Sequence, residues 1–332
     1  MAKLRIVFIG QNGPFTLQPL EAVASRHNLV ALIESAPYHY QPVKRHPLRR
    51  AAGRVRDWAM ELRADPEHPT LRQLAARRRI PYFFMTRNAH SQFTHFLQSV
   101  RPDVVCVASM AQLIKKEALA VPRLGTLNVH PSWLPNYRGP APWFWYYHQM
   151  EEEGGVTVHY IDEGEDSGNI LRQAKYPIPL GMEFPSMLAA SSQLGASLLV
   201  EALEDVEAGA PGTPQKDLPC PFRARRFERD EPLIDWVNWP IKRVWHVLRG
   251  TRDMLQALPP PPGAGPGVSW RIGEYQSVAT QGIPGTVERD EDGAYAIHAE
   301  GKIRLLPDTP APSRAPRLAS RLLPTKVVTR TQ

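Results

Sequence analysis

Residues 4–33 read LRIVFIGQNGPFTLQPLEAVASRHNLVALI. Leu4–Ile9 is a short apolar run without alternation, the pattern of a strand covered on both faces. GQNG (Gly10–Gly13) then breaks the run as a turn. A helix around Leu17–Arg26 gathers Leu20, Val23 and Ala24 on one face. Val30–Ile33 supplies the next buried strand. Strand, turn, helix and strand in this order predict an α/β fold: a Rossmann-like, mainly parallel sheet with helices on both faces. The glycines do not spell G-x-G-x-x-G, which speaks against dinucleotide binding. GQNG is either a plain strand-to-helix turn or a loop that touches a ligand.

Composition bounds the rest. The chain has 332 residues, 42% of them hydrophobic, and a formal net charge of +7. That length allows one large or two ordinary domains, and the charge suits an anionic partner. Of the two cysteines, Cys106 lies in an apolar run and reads as an inert core thiol, so a reducing, cytoplasmic setting is expected. MAKLRIVFIG does not read as a signal peptide, and no run nears the roughly 20 apolar residues of a membrane helix. Lys44, Arg45, Arg49, Arg50, Arg54 and Arg56 follow one another with no acidic residue between them. They form either a solvated surface or a phosphate-binding patch. Arg77, Arg78 and Arg79 end a helix whose face carries Leu71, Leu74 and Ala75, where they complement its dipole. Ser91–Val100 is a further helix and Val104–Ala108 a further buried strand.

The chemistry is concentrated in residues 125–171. In TLNVH (Thr126–His130), Asn128 and His130 stand two apart and so share one face of a strand. Pro131 and Pro135 then force a loop. A second strand, Val156–Ile161, leads to the acidic loop Asp162–Asp166, with Gly164 and Gly168 supplying turns. An amide that donates to a developing oxyanion, an imidazole that carries a proton and a carboxylate that orients it suit attack by an external nucleophile on a carbonyl. Neither a nucleophilic side chain nor a metal is needed. Taken singly, Asn128 reads as a turn cap, His130 as a structural histidine and Asp166 as a turn residue.

The order N-x-H-P-S-x-L-P-x-Y-R-G-x-x-P (residues 128–142), then G-V-T-x-H-x-x-D-E-G-x-D-x-G-x-I-L (residues 155–171), resembles the core of the formyl-tetrahydrofolate-dependent formyltransferases. These include the methionyl-tRNA, glycinamide ribonucleotide and sugar-nucleotide enzymes. The resemblance implies 10-formyltetrahydrofolate as co-substrate, no metal, and Asn128, His130 and Asp166 as catalytic residues. Matching D-x-G-x-D-x-G puts the catalytic carboxylate at Asp166 rather than Asp162. It further implies that Met110, Ala111, Gln112, Leu113 and Ile114 line the pterin slot, although Leu113 and Ile114 also read as core plugs. Tyr160, Ile161, Asp162, Glu163, Gly164 and Glu165 would add backbone contacts. Arg138 either holds its loop or meets an acceptor phosphate. The bulky run Trp143, Phe144, Trp145, Tyr146 and Tyr147 departs from the tRNA enzymes' small and aliphatic residues. Most of it should be core, with one or two rings left to line an acceptor pocket.

Downstream, Gln173–Ile178 should close the sheet and Ser186–Val206 form a helix. The Pro/Gly-rich stretch Ala208–Phe222 marks the domain boundary. A helix begins at Pro240. Short strands are expected at Val268–Ile272, Ser277–Thr280, Gly285–Glu288, Tyr295–His298 and Ile303–Leu306, as in the family's small OB-like C-terminal β-barrel. The expected organisation is a catalytic domain over 1–208, a linker over 209–225, the OB-like domain over 226–310 and a basic tail over 311–332. The expected acceptor is a small anionic amine or hydroxylamine, such as an amino-sugar nucleotide or amino-acid derivative. Initiator methionyl-tRNA is the alternative. A non-catalytic nucleic-acid-binding protein would be expected to have lost part of the triad, and all three residues are present.

Overall fold

The computed structural model describes residues 3–41, 69–215, 218–263 and 269–308. The cationic segment 44–56 and the tail 311–332 lie outside them. Strand β1 (Arg5–Gly10) and helix α1 (Pro14–Arg26) lead to β2 (Asn28–Ser35). Next come α2 (Leu71–Arg78), β3 (Tyr82–Met85), α3 (His90–Val100), β4 (Val104–Ala108), α4 (Lys116–Leu119) and β5 (Thr126–His130). Helix α5 (Pro142–His148), β6 (Glu153–Tyr160), β7 (Ile170–Pro177) and α6 (Phe184–Glu207) complete the first unit. The strands form one seven-stranded sheet in the order β3-β2-β1-β4-β5-β6-β7. The first five are parallel, whereas β6 and β7 run antiparallel to their neighbours. The apolar runs end up buried on both faces, as a parallel sheet requires. Ile6, Phe8 and Cys106 enter one core, while Val7, Ile9 and Val105 enter the other with Phe93 and Leu97 of α3. Helix α6, 24 residues long, passes by length and composition as a membrane-span candidate. Here it is a core helix, packed on α1, β6 and β7.

After α6 come α7 (Ile241–Thr251) and a second, antiparallel sheet of β8 (Trp270–Gln276), β9 (Val287–Asp290), β10 (Gly293–His298) and β11 (Gly301–Pro307), ordered β8-β11-β10-β9. The expected strand Ser277–Thr280 does not form. Strand β8 runs on to Gln276 to pair with Lys302 of β11, and Val278 after it is exposed. The aromatic block is core almost throughout: Phe144, Trp145, Tyr146 and Tyr147 are all buried. Gly250 of α7 leaves no room for a Cβ against the Tyr147 ring. The first core cluster is therefore continuous into the second sheet, reaching Val244, Ile272 and Ile303.

The chain between α6 and α7 does not hang free. Ile170 and Thr213 exchange both backbone hydrogen bonds. Tyr137 N–H donates to Phe222 O, Ala224 N–H to Arg138 O, and Ala141 N–H to Ala224 O. Thr213 is thus sewn to β7, and Phe222 and Ala224 to the loop after β5.

Candidate active site

Strand β5 turns Leu127 and Val129 into the core and leaves Asn128 and His130 on its opposite face. In the antiparallel pair with β6, Asn128 lies directly across from His159, so amide and imidazole meet side by side. Asn128 Nδ2 is 3.2 Å from His159 Nε2 and 3.4 Å from Asp166 Oδ1. His159 Nδ1 lies 2.7 Å from the carbonyl oxygen of Tyr160. A carbonyl only accepts, so Nδ1 carries the hydrogen and Nε2 is left to accept from Asn128. Burial holds the His159 pKa at about 4 against the opposing pull of Asp166. The ring is therefore neutral at pH 7, and it fixes which end of the Asn128 amide faces Asp166.

His130 is buried, with Nε2 at 3.1 Å from Tyr137 O. The same logic makes Nε2 the donor and points Nδ1 at Asp166 Oδ1, 3.6 Å away. Asp166 sits in the left-handed region (φ 51°), which Asp tolerates better than most residues. Its Oδ2 accepts from Gly139 N–H at 2.9 Å. Gly139 has φ 116°, and a Cβ there would lie 2.8 Å from Ala224 O, so only glycine serves. Burial works to raise the Asp166 pKa. His130, His159 and the Gly139 N–H outweigh it and hold the carboxyl below its ordinary range. Arg138 adds to the same pull.

The cluster forms the floor of a cavity of about 460 Å³. Met110, Ala111, Gln112, Leu113 and Ile114 line one side, and Ile161, Asp162, Gly164 and Glu165 another. Gln112 ties the first loop to β2: it accepts from Ser35 Oγ at 2.6 Å and donates to Ala36 O at 2.7 Å. Ile114 also enters the core, whereas Leu113 is 62% exposed. Tyr160 and Glu163 do not reach the cavity. The Tyr160 hydroxyl donates to Ala210 O, and Glu163 pairs with Lys116 at 3.7 Å. The Asp162 carboxylate closes its own turn on Gly164 N–H and Ser167 Oγ. The GQNG turn does not line the cavity: Asn12 bonds Glu34 and the N-terminus of α2. Arg138 holds Gln215 rather than opening to solvent.

Trp143, from the aromatic run expected to leave one or two rings at a pocket, does line the cavity, while His159, Phe15, Tyr38, Arg223 and Arg226 escaped the sequence reading. His159 was legible, because it alternates with Val156 and Val158 along β6. The others are brought in by tertiary contacts, such as the edge-on packing of Phe15 and Trp143 at 4.9 Å.

A mainly parallel sheet that carries an Asn–His–Asp cluster at the floor of a slot suits a transferase that delivers a group to an outside nucleophile. The chain belongs to the formyl transferase family, whose model matches residues 23–203. It is 32% identical over 265 residues to a methionyl-tRNA formyltransferase of Syntrophus aciditrophicus, spanning 80% of this chain and 76% of that one. To the methionyl-tRNA formyltransferase of a Roseiflexus species it is 31% identical, spanning 94% and 89%. In fold it is similar to WlaRD, a sugar 3N-formyl transferase, with a TM-score of 0.63 at 17% identity, over 93% of this chain and 99% of that one.

Proposed function

We propose that the cavity takes 10-formyltetrahydrofolate and that the enzyme passes its formyl group to the amine or hydroxylamine nitrogen of an anionic acceptor. The observation that carries this reading is the convergence of Asn128, His130 and Asp166 beneath the cavity. Its volume of about 460 Å³ is in the range of small-molecule sites. The backbone groups of the loops 110–114 and 161–165 suit a flat, polar-edged ring such as a pterin. WlaRD was crystallised with 5-N-formyl-THF, which supports the same class of donor.

The donor supplies the formyl carbon. As the amine adds, charge gathers on the formyl oxygen, and Asn128 supplies a hydrogen-bond donor to it. The amide's 3.4 Å bond to Asp166 is the longer of its two, so that N–H is the one free to turn. His130 is tied through Nε2 to Tyr137 O and turns Nδ1 toward Asp166. The Asp166 carboxylate accepts the proton shed by the attacking nitrogen, directly or through water. The intermediate then collapses, the bond from the formyl carbon to the donor nitrogen breaks, and tetrahydrofolate leaves with that nitrogen protonated.

An anionic small molecule is the favoured acceptor because of the cavity mouth. Arg226 and Tyr38 both line it, the guanidinium 3.8 Å from the ring, and Arg87, outside the lining, lies 4.5 Å from the same ring. Neither guanidinium has a carboxylate partner among the described residues. A stacked guanidinium keeps its in-plane N–H groups for an oxyanion. Initiator methionyl-tRNA is the second reading, favoured by named relatives that match this chain over nearly its full length. The test is incubation with formyl-tetrahydrofolate and a panel of amino-sugar nucleotides, amino-acid derivatives and charged initiator tRNA, following tetrahydrofolate release. One class should support turnover; none doing so overturns the reading. Steep loss of affinity with salt would select tRNA.

A further inference from the structure

We infer that Gln215 is a positioning residue that holds Asp166 in its working conformation, so that the segment joining the two sheets is part of the active site. The inference rests on the role proposed for Asp166. Gln215 has no solvent exposure. Its Nε2 donates to Asp166 O at 3.0 Å and to Gly168 O at 2.6 Å. Arg138 Nη2 donates to its Oε1 at 2.9 Å and to its backbone O at 3.0 Å. A guanidinium offers only donors, so Oε1 must face Arg138 and both amide hydrogens must face the two carbonyls.

That geometry answers a specific need. Left-handed backbone at a non-glycine residue is unfavourable and persists only where its surroundings over-determine it. The Gln215 amide fixes the Asp166 carbonyl, while Gly139, next to Arg138, fixes its carboxylate. One glutamine thereby ties the two ends of the residue to the same loop. Without it, nothing else among the described residues holds the Asp166 carbonyl in place, and the carboxylate drifts from His130 and from the Gly139 N–H.

The test uses Gln215→Met, which removes both donors without adding charge. Turnover should fall roughly tenfold to a hundredfold, the penalty of a small misplacement of a reacting group. KM for the formyl donor should move much less. The acid limb of the kcat–pH profile should move upward. Activity needs the ionised carboxylate, and the contacts that hold its pKa down would be loosened. Val247→Ala, a comparable insult to the core away from the site, should leave that limb in place. Should Gln215→Met not fold, Gln215→Glu keeps Arg138 paired but turns a carboxylate oxygen to the two carbonyls in place of the donors, and the same split between kcat and KM is read on it. Asp166→Asn is measured alongside. If it abolishes turnover while the Gln215 variant matches wild type in kcat and acid limb, the inference is overturned. If Asp166→Asn turns over normally, the reading beneath it fails instead.

Discussion

The carbonyl of Tyr160 decides how Asn128 is presented. By taking the hydrogen of His159 Nδ1 it leaves Nε2 bare, and the bare nitrogen draws in the Asn128 amide hydrogen. His159 therefore acts on the reaction through its neighbour. His159→Ala should lower kcat about tenfold to a hundredfold, as lost support for a reacting group typically does. Asn128→Ala should cost roughly a hundredfold or more. The double variant should be little worse than Asn128→Ala alone, because His159 has nothing left to orient. Steady-state kinetics on the three proteins, matched for folding by circular dichroism, would check this. Additive losses would mean that His159 acts on substrate by another route.

Among the elements, the apolar strands were easy to read and the joining segment was not. Continuous runs such as Val104–Ala108 can only be buried strands, and the two-residue spacing of Asn128 and His130 gave their shared face. Asp166 came only from the resemblance to the family's D-x-G-x-D-x-G motif; read alone it is a turn residue. The stretch Ala208–Phe222 read only as a Pro/Gly-rich linker at a domain boundary. Which partners its backbone finds is settled by residues far off in sequence, Ile170 and Arg138 among them, and composition carries no trace of that. Likewise Ser277–Thr280 has β-prone chemistry but no neighbour to pair with. The seam makes its own prediction. Gly139→Ala forces a Cβ toward Ala224 O and disfavours φ 116°. It should cost about 1–3 kcal/mol of stability, read by urea unfolding, and cut turnover by displacing the Asp166 contact. A variant with wild-type stability and rate would show the seam to be slack.

The whole molecule should be sensitive to acid. His159 in the first unit and His246 in the second are both buried, and burial lowers each pKa from 6.5 to about 4. His246 Nδ1 accepts from Gly181 N–H at 2.9 Å, which likewise needs a bare nitrogen. Between those values the unfolded chain binds more protons than the folded one, so stability falls as pH drops from 6.5 toward 4. Each site could contribute up to about 3 kcal/mol over the full window. The depressed Asp166 pKa adds a further loss only below the ordinary carboxylate range. Urea midpoints at pH 7 and pH 5 should differ clearly, and His246→Gln should narrow the gap. Equal midpoints in the wild-type protein would remove the argument. The stitched strand between α6 and α7 also matters to anyone building chimeras. A crossover placed at residue 208 would hand the recipient a foreign wall for its own reaction chamber. Keeping that wall means cutting downstream of Arg226, where the aromatic block of α5 still packs on the C-terminal module.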